Sequence, residues 1–132
     1  MKDFRPLKVW EKVHLLTLDI YKATARFPRE EMYGLTSQMR GCGASIGANI
    51  TEGCGTQGNQ DLQRFLYMAS GWASELEYHL LLARDPSYLP AEEDRRMDKK
   101  LAKARRMLTA LLQKVSSDRS VTATCQSLIA SC

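Results

Sequence analysis

The sequence contains no apolar run near the roughly 18 residues that a membrane-spanning helix needs, so no such helix is expected within it. It shows no sustained alternation of apolar and polar residues, and β-branched residues are sparse, which argues against a half-buried sheet. The opening decapeptide, MKDFRPLKVW, carries charges and a proline and has no apolar segment, so no secretory signal is expected and the expected location is the cytoplasm. The four cysteines are accordingly expected to be thiols rather than a disulfide framework. Their spacing is not that of a zinc finger or a redox pair: Cys42 and Cys54 are twelve apart, and Cys125 and Cys132 are seven apart. There are only two histidines, His14 and His79, on different predicted helices. Glu75 precedes His79 by four residues, so the Glu-x-x-His spacing of a di-iron bundle is missing. No Cys/His or Ser/His grouping suggests a nucleophile. No metal, no cofactor and no catalytic residue are expected.

What is present is one domain's worth of chain. The 132 residues are 44% hydrophobic and 26% charged, enough for a single hydrophobic core. Four helical stretches emerge. The first is predicted over about 6–26, with Trp10, Val13, Thr17, Ile20, Thr24 and Phe27 on one face and Pro28 as the stop. The second, about 35–52, carries Leu35, Met39, Cys42, Ile46, Asn49 and Gly53, with Thr36 or Ser37 as its cap. The third, about 59–84, repeats Leu62, Leu66, Ala69, Ala73, Leu76, Leu80 and Ala83, with Asn59 as its cap. The fourth, about 90–115, repeats Met97, Leu101, Ala104, Leu108, Leu111 and Val115. Four heptad stripes with short connections predict an all-α, antiparallel up-down-up-down four-helix bundle over residues 1–115. Residues 116–132 are Ser/Thr-rich and are expected to form a flexible tail.

Two helices are apolar beyond one stripe. Phe65, Trp72 and Leu82 on the third, and Leu15, Leu16, Leu18 and Tyr21 on the first, widen the apolar face past what an isolated bundle needs. Either the core is generous, or copies of the chain cover these flanks. Phe65, Trp72 and Tyr21 are the candidate interface residues of a homo-oligomer.

The net charge is only +4, but residues 90–115 hold eight basic and four acidic side chains, while the remainder balances at eleven of each. Arg96, Lys99, Lys100, Lys103 and Arg106 fall within an arc of about 120°, away from the apolar seam. This face is either a solvated bundle surface or a contact for nucleic-acid phosphates. No aromatic residue interleaves the charges, so base stacking is not suggested.

The segment RGCGASIGANITEGCG superficially suggests a phosphate loop. It lacks the Lys-Ser/Thr ending of a Walker loop, and no strand precedes its glycines. Close helix packing at Gly43, Gly47 and Ala48 is the better reading. Asn49 falls on the predicted core stripe, with Ser45 and Glu52 on the same edge and Gln38, Arg40, Glu75 or backbone carbonyls as candidate partners. A hydrogen-bonded network of Gln38, Arg40, Ser45, Asn49 and Glu52 that fixes helix register is favoured over a catalytic Asn/Glu site.

The pattern Leu7-x-Val9-Trp10, Tyr21, Phe27-Pro28, Glu31-x-Tyr33-Gly34-Leu35-x-x-Gln38-x-Arg40, Ser45-Ile46-x-Ala48-Asn49-Ile50-x-Glu52-Gly53, Phe65-Leu66-x-x-Ala69 and Glu75-Leu76-Glu77 resembles the bacterial four-helix-bundle family of 23S ribosomal RNA intervening-sequence proteins. The resemblance is strongest over about residues 4–89. It implies a left-handed up-down bundle assembled as a homopentamer, with no established enzymatic activity. A related branch, accessory proteins of diversity-generating retroelements, associates with reverse transcriptase and nucleic acid. The expected partners are thus further copies of the chain, and RNA, DNA or a nucleic-acid enzyme. Gly47 stands where the family commonly has Pro, and Gly41 and Gly43 where it more often has Arg and Ala. The loss of a basic side chain at Gly41 weakens any nucleic-acid role for the second helix. A protein-binding adaptor without such a role is the alternative.

Overall fold

The structure, a computed structural model, describes residues 3–117. The predicted tail, save for its first two residues, lies outside them. Four α-helices, α1 (Lys8–Thr24), α2 (Leu35–Gly55), α3 (Asn59–Arg84) and α4 (Ala91–Ser117), are joined by short connections, the first of which contains a 3-10 turn at Arg29–Glu31. No strand occurs among the described residues. The helices pack in a closed ring: α1 on α2, α2 on α3, α3 on α4 and α4 back on α1. No helix among the described residues is long and apolar enough to cross a membrane.

The ring encloses one core. Val13, Leu16 and Ile20 of α1 meet Met39, Ile46 and Ile50 of α2, Leu66, Leu76 and Leu80 of α3, and Met97, Leu101 and Leu108 of α4. Each such side chain contributes about 1.5–3 kcal/mol on burial. Leu7, Phe27 and Leu89, from outside the helices, are also buried and close the ends of the core. Phe27 packs its ring against Tyr88 at 5.5 Å between centroids.

On α2 the buried line runs through Met39, Gly43, Ile46, Ile50 and Gly53. Asn49, expected on the core stripe, is only half-buried, and Ile50 takes the inward position. The reason lies in the small residues. A Cβ on Gly43 would stand 3.1 Å from Thr17 Oγ1 and 3.3 Å from its Cγ2, so α1 crosses there against bare backbone. A Cβ on Gly53 would stand 3.0 Å from Leu62 Cδ1 and 3.2 Å from Phe65 Cβ, so α3 does the same at the far end. Close approach is therefore confined to these two positions. Gly47 has ordinary room, with its nearest neighbours at 3.8 Å, and Gly41 faces open space. Close packing was expected at Gly47 and Ala48 as well, but Gly47 makes only ordinary contacts with Trp10 and Val13, and Ala48 is exposed.

Helix ends also differ from expectation in an instructive way. Neither Thr36 nor Ser37 caps α2. Glu31 Oε2 accepts the Leu35 N–H at 3.0 Å, satisfying an orphan donor with a carboxylate at the positive end of the helix dipole. A Cβ on Gly34 would crowd that carboxylate at 3.3 Å, which accounts for glycine beside the capping acid. Gly58, with φ of 95°, precedes α3, a left-handed conformation that glycine adopts freely. At the α3–α4 turn, Arg84 Nε donates to Asp94 Oδ2 at 2.7 Å, and Asp94 is buried. The carboxylate holds the Arg84 guanidinium above its ordinary range, first through the hydrogen bond and then through its charge.

Candidate functional site

The outer face of α4 is rich in basic side chains. Its buried line runs through Met97, Leu101, Ala104, Leu108, Leu111 and Val115. Residues at the borders of that line pair with neighbouring helices. Lys100 forms an ion pair with Asp19 of α1. Arg105 donates to Glu77 Oε2 at 2.7 Å and Ser74 Oγ at 3.1 Å on α3. Farther out, Arg95, Arg96, Lys99, Lys103 and Arg106 are all exposed, and none has an ion-pair partner among the described residues. Arg96 rims a cleft of about 320 Å³ between α1 and α4, where Lys22, Arg26 and Glu93 also converge. Arg95 belongs to this face and was missed from sequence, because it sits at the edge of the arc drawn there. Lys100, placed on the face from sequence, is engaged by Asp19.

A second surface is apolar. Met68, Trp72, Tyr78 and Leu82 of α3 are all exposed, with Trp72 at 38% and Leu82 at 39%. Gly71 and Glu75 share that outward stripe, which repeats every three or four residues. On α1, Leu15, Leu18 and Tyr21 are exposed. Of the three candidate interface residues, Trp72 and Tyr21 are exposed in the single chain, whereas Phe65 is half-buried beside Gly53 with the Arg64 guanidinium 4.6 Å above its ring.

The predicted polar network is not one assembly in the chain. Asn49 Nδ2 donates to the Ser45 carbonyl at 2.7 Å, a bond within its own helix and one of the partner types expected. Ser45 is half-buried; Gln38 and Glu52 are exposed. Arg40 reaches α1 instead. Its Nε donates to Thr24 Oγ1 at 2.9 Å, its terminal nitrogen donates to the Tyr21 carbonyl at 3.2 Å, and its guanidinium lies 4.9 Å from the Tyr21 ring centroid. A cation is thereby fixed at the C-terminal end of α1, where the helix dipole favours one.

One grouping escaped the spacing rules. Cys42 of α2 and Glu75 and His79 of α3 bring one sulfur, one carboxylate oxygen and one ring nitrogen within 4.8 Å of one another. Cys42 donates its thiol to Glu75 Oε2 at 2.8 Å. Burial, and then the hydrogen bond and charge of Glu75, push the Cys42 thiol up to about 12. The set spans two helices, so no linear motif reveals it. The available signal was a core-facing cysteine opposite a Glu-x-x-x-His face. Cys54 is disulfide-bonded, which departs from the expectation of thiols at every cysteine. Cys42 is free.

Comparison with known proteins gives a family and a fold. A crystal structure of a protein of unknown function from the S23 ribosomal protein family, from Bacteroides thetaiotaomicron, superposes with a TM-score of 0.72 at 25% identity. The match covers 80% of this chain and 98% of that one. No curated protein matches the chain. The 23S rRNA-intervening sequence protein family matches residues 5–110, which include all of the first three helices and most of the fourth. By that match the chain belongs to the 23S rRNA-intervening sequence protein family.

Proposed function

We propose that the chain is a non-catalytic subunit of a cytoplasmic homo-oligomer that presents α4 to nucleic-acid phosphates. The observation that carries the proposal is the run Arg95, Arg96, Lys99, Lys103 and Arg106, exposed and without acidic partners among the described residues. Cations already neutralised by a neighbouring carboxylate, such as Lys100 and Arg105, have less to gain from a phosphate. Unpaired ones release counterions when they contact a polyanion. Repetition of the face on each subunit multiplies a weak contact.

An antiparallel, up-down-up-down order is part of the proposal. Only residues 56–58 link α2 to α3, and only 85–90 link α3 to α4. Such connections span at most about 10 and 20 Å, too little to return along a helix of about 30 Å. The apolar stripe of α3 supports self-association, and the family resemblance makes a pentamer the expected assembly. RNA, DNA or an enzyme acting on them, such as a reverse transcriptase, are the partners in view.

The test is fluorescence anisotropy with several unrelated single-stranded RNAs across a salt series. Tight, sequence-indifferent binding that weakens with salt is expected. Lys99→Glu, Lys103→Glu and Arg106→Glu together should flatten the log–log salt slope by about 2, from roughly 0.7 per lost contact. Absence of binding at low salt, with an intact oligomer, would leave a protein-binding adaptor as the reading.

A further inference from the structure

We propose that Cys42, Glu75 and His79 form a three-ligand site for a divalent zinc ion at the α2–α3 contact. His79 supplies the first argument. It is 9% exposed, and neither of its ring nitrogens has a hydrogen-bond partner. A neutral imidazole carries one donor and one acceptor, and burying both unsatisfied is unfavourable. Nε2 faces Glu75 Oε2 at 3.8 Å, too far for a hydrogen bond and close enough to share an ion. A lone pair buried without a donor, aimed at a carboxylate and a sulfur, fits a metal ligand.

Geometry supplies the second argument. Glu75 and His79 stand four residues apart on one face of α3, so both reach the same side. Cys42 reaches them from α2, which packs directly on α3. Tetrahedral zinc, with bonds of about 2.3 Å to sulfur and about 2.0–2.2 Å to nitrogen and oxygen, separates its ligand atoms by roughly 3.4–3.6 Å. Here sulfur and oxygen are 2.8 Å apart, oxygen and nitrogen 3.8 Å, and all three atoms lie within 4.8 Å, so zinc would part the sulfur from the oxygen and draw the nitrogen in. Glu75, whose side chain is 46% exposed, can swing to part from the sulfur, and the Cys42 and His79 side chains turn toward the ion.

The donor set supplies the third. One thiol, one imidazole and one carboxylate form the mixed sulfur–nitrogen–oxygen environment that zinc accepts and that calcium and magnesium do not. On binding, the Cys42 S–H bond breaks, its proton leaves to solvent, and the sulfur's electron pair binds zinc; no electron is transferred. Three protein ligands leave a fourth position for water. His79 also lines a cavity of about 400 Å³ with Glu31, Gln38, Leu82 and Tyr88.

The experiment titrates cobalt(II), a spectroscopic stand-in for zinc, into the full chain freed of metal. One cobalt per chain is expected, with a thiolate-to-cobalt charge-transfer band and the visible bands of a tetrahedral ion, all lost on adding zinc. Cys42→Ala should abolish the charge-transfer band. A chain keeping Cys42 as its only cysteine (Cys54→Ala, Cys125→Ala, Cys132→Ala) should retain it. Glu75→Gln, at an exposed side chain that leaves folding intact, should weaken cobalt about tenfold or more, and His79→Gln likewise. Circular dichroism verifies each variant's helices. No band in the parent chain, or a band unchanged in Cys42→Ala or in Glu75→Gln, overturns the proposal.

Discussion

Helices α3 and α4 are nearly equal in length and bury similar lines of leucine and alanine, yet their outer faces are opposites. Outside its core line, α4 shows basic and acidic side chains, and its border residues are tied down by Asp19 and Glu77. On α3 the corresponding surface shows Met68, Trp72, Tyr78 and Leu82. Inner faces alone explain why each helix joins the bundle. Outer faces differ: that of α4 is charged, and that of α3 is largely apolar.

The largest expected effect tests the shared half of the comparison. Leu66→Ala and Leu108→Ala remove fully buried side chains, one from each helix, and each should cost about 2–5 kcal/mol in chemical denaturation. If only one of the two does so, the inner faces are not equivalent. A smaller effect tests the outer faces. Trp72→Ser with Leu82→Ser should weaken self-association by about 1–3 kcal/mol per interface, seen as a lower mass in light scattering. The triple charge reversal on α4 should leave that mass unchanged. A parent mass near 14.9 kDa would remove self-association from the account. The smallest effect sharpens the picture of α3's back. Gly71 meets nothing within 4 Å, so Gly71→Ala should stabilise the fold by about 0.5–1 kcal/mol through helix propensity. If a neighbouring copy lies directly on that glycine, the added methyl should also lower the mass.

The sequence made much of this legible. The heptad lines of α3 and α4 are large aliphatic residues against a charged background, so periodicity alone places them. Trp72 and Leu82 were visible as apolar residues off that line. Helix α2 was harder, because glycine and alanine flatten the contrast between its faces. Asn49 was placed inward when Ile50 is, since the burial of Gly43 and Gly53 depends on where α1 and α3 cross. Caps were misplaced for a related reason. A short polar residue beside a helix start is the usual signal, and here an acid four residues upstream reaches back to Leu35. The Cys42–Glu75–His79 grouping was out of reach entirely, because its members are neighbours only after α2 and α3 pack.

Thr17 and Gly43 meet where α1 crosses α2. A methyl at position 43 would press on the threonine, which must give by a few tenths of an ångström while it also bonds the Val13 carbonyl at 2.8 Å. A smaller residue at position 17 relieves that pressure. Homologues carrying alanine at the second position are therefore expected to carry serine, alanine or glycine at the first, a paired change that sequence comparison across the family can count.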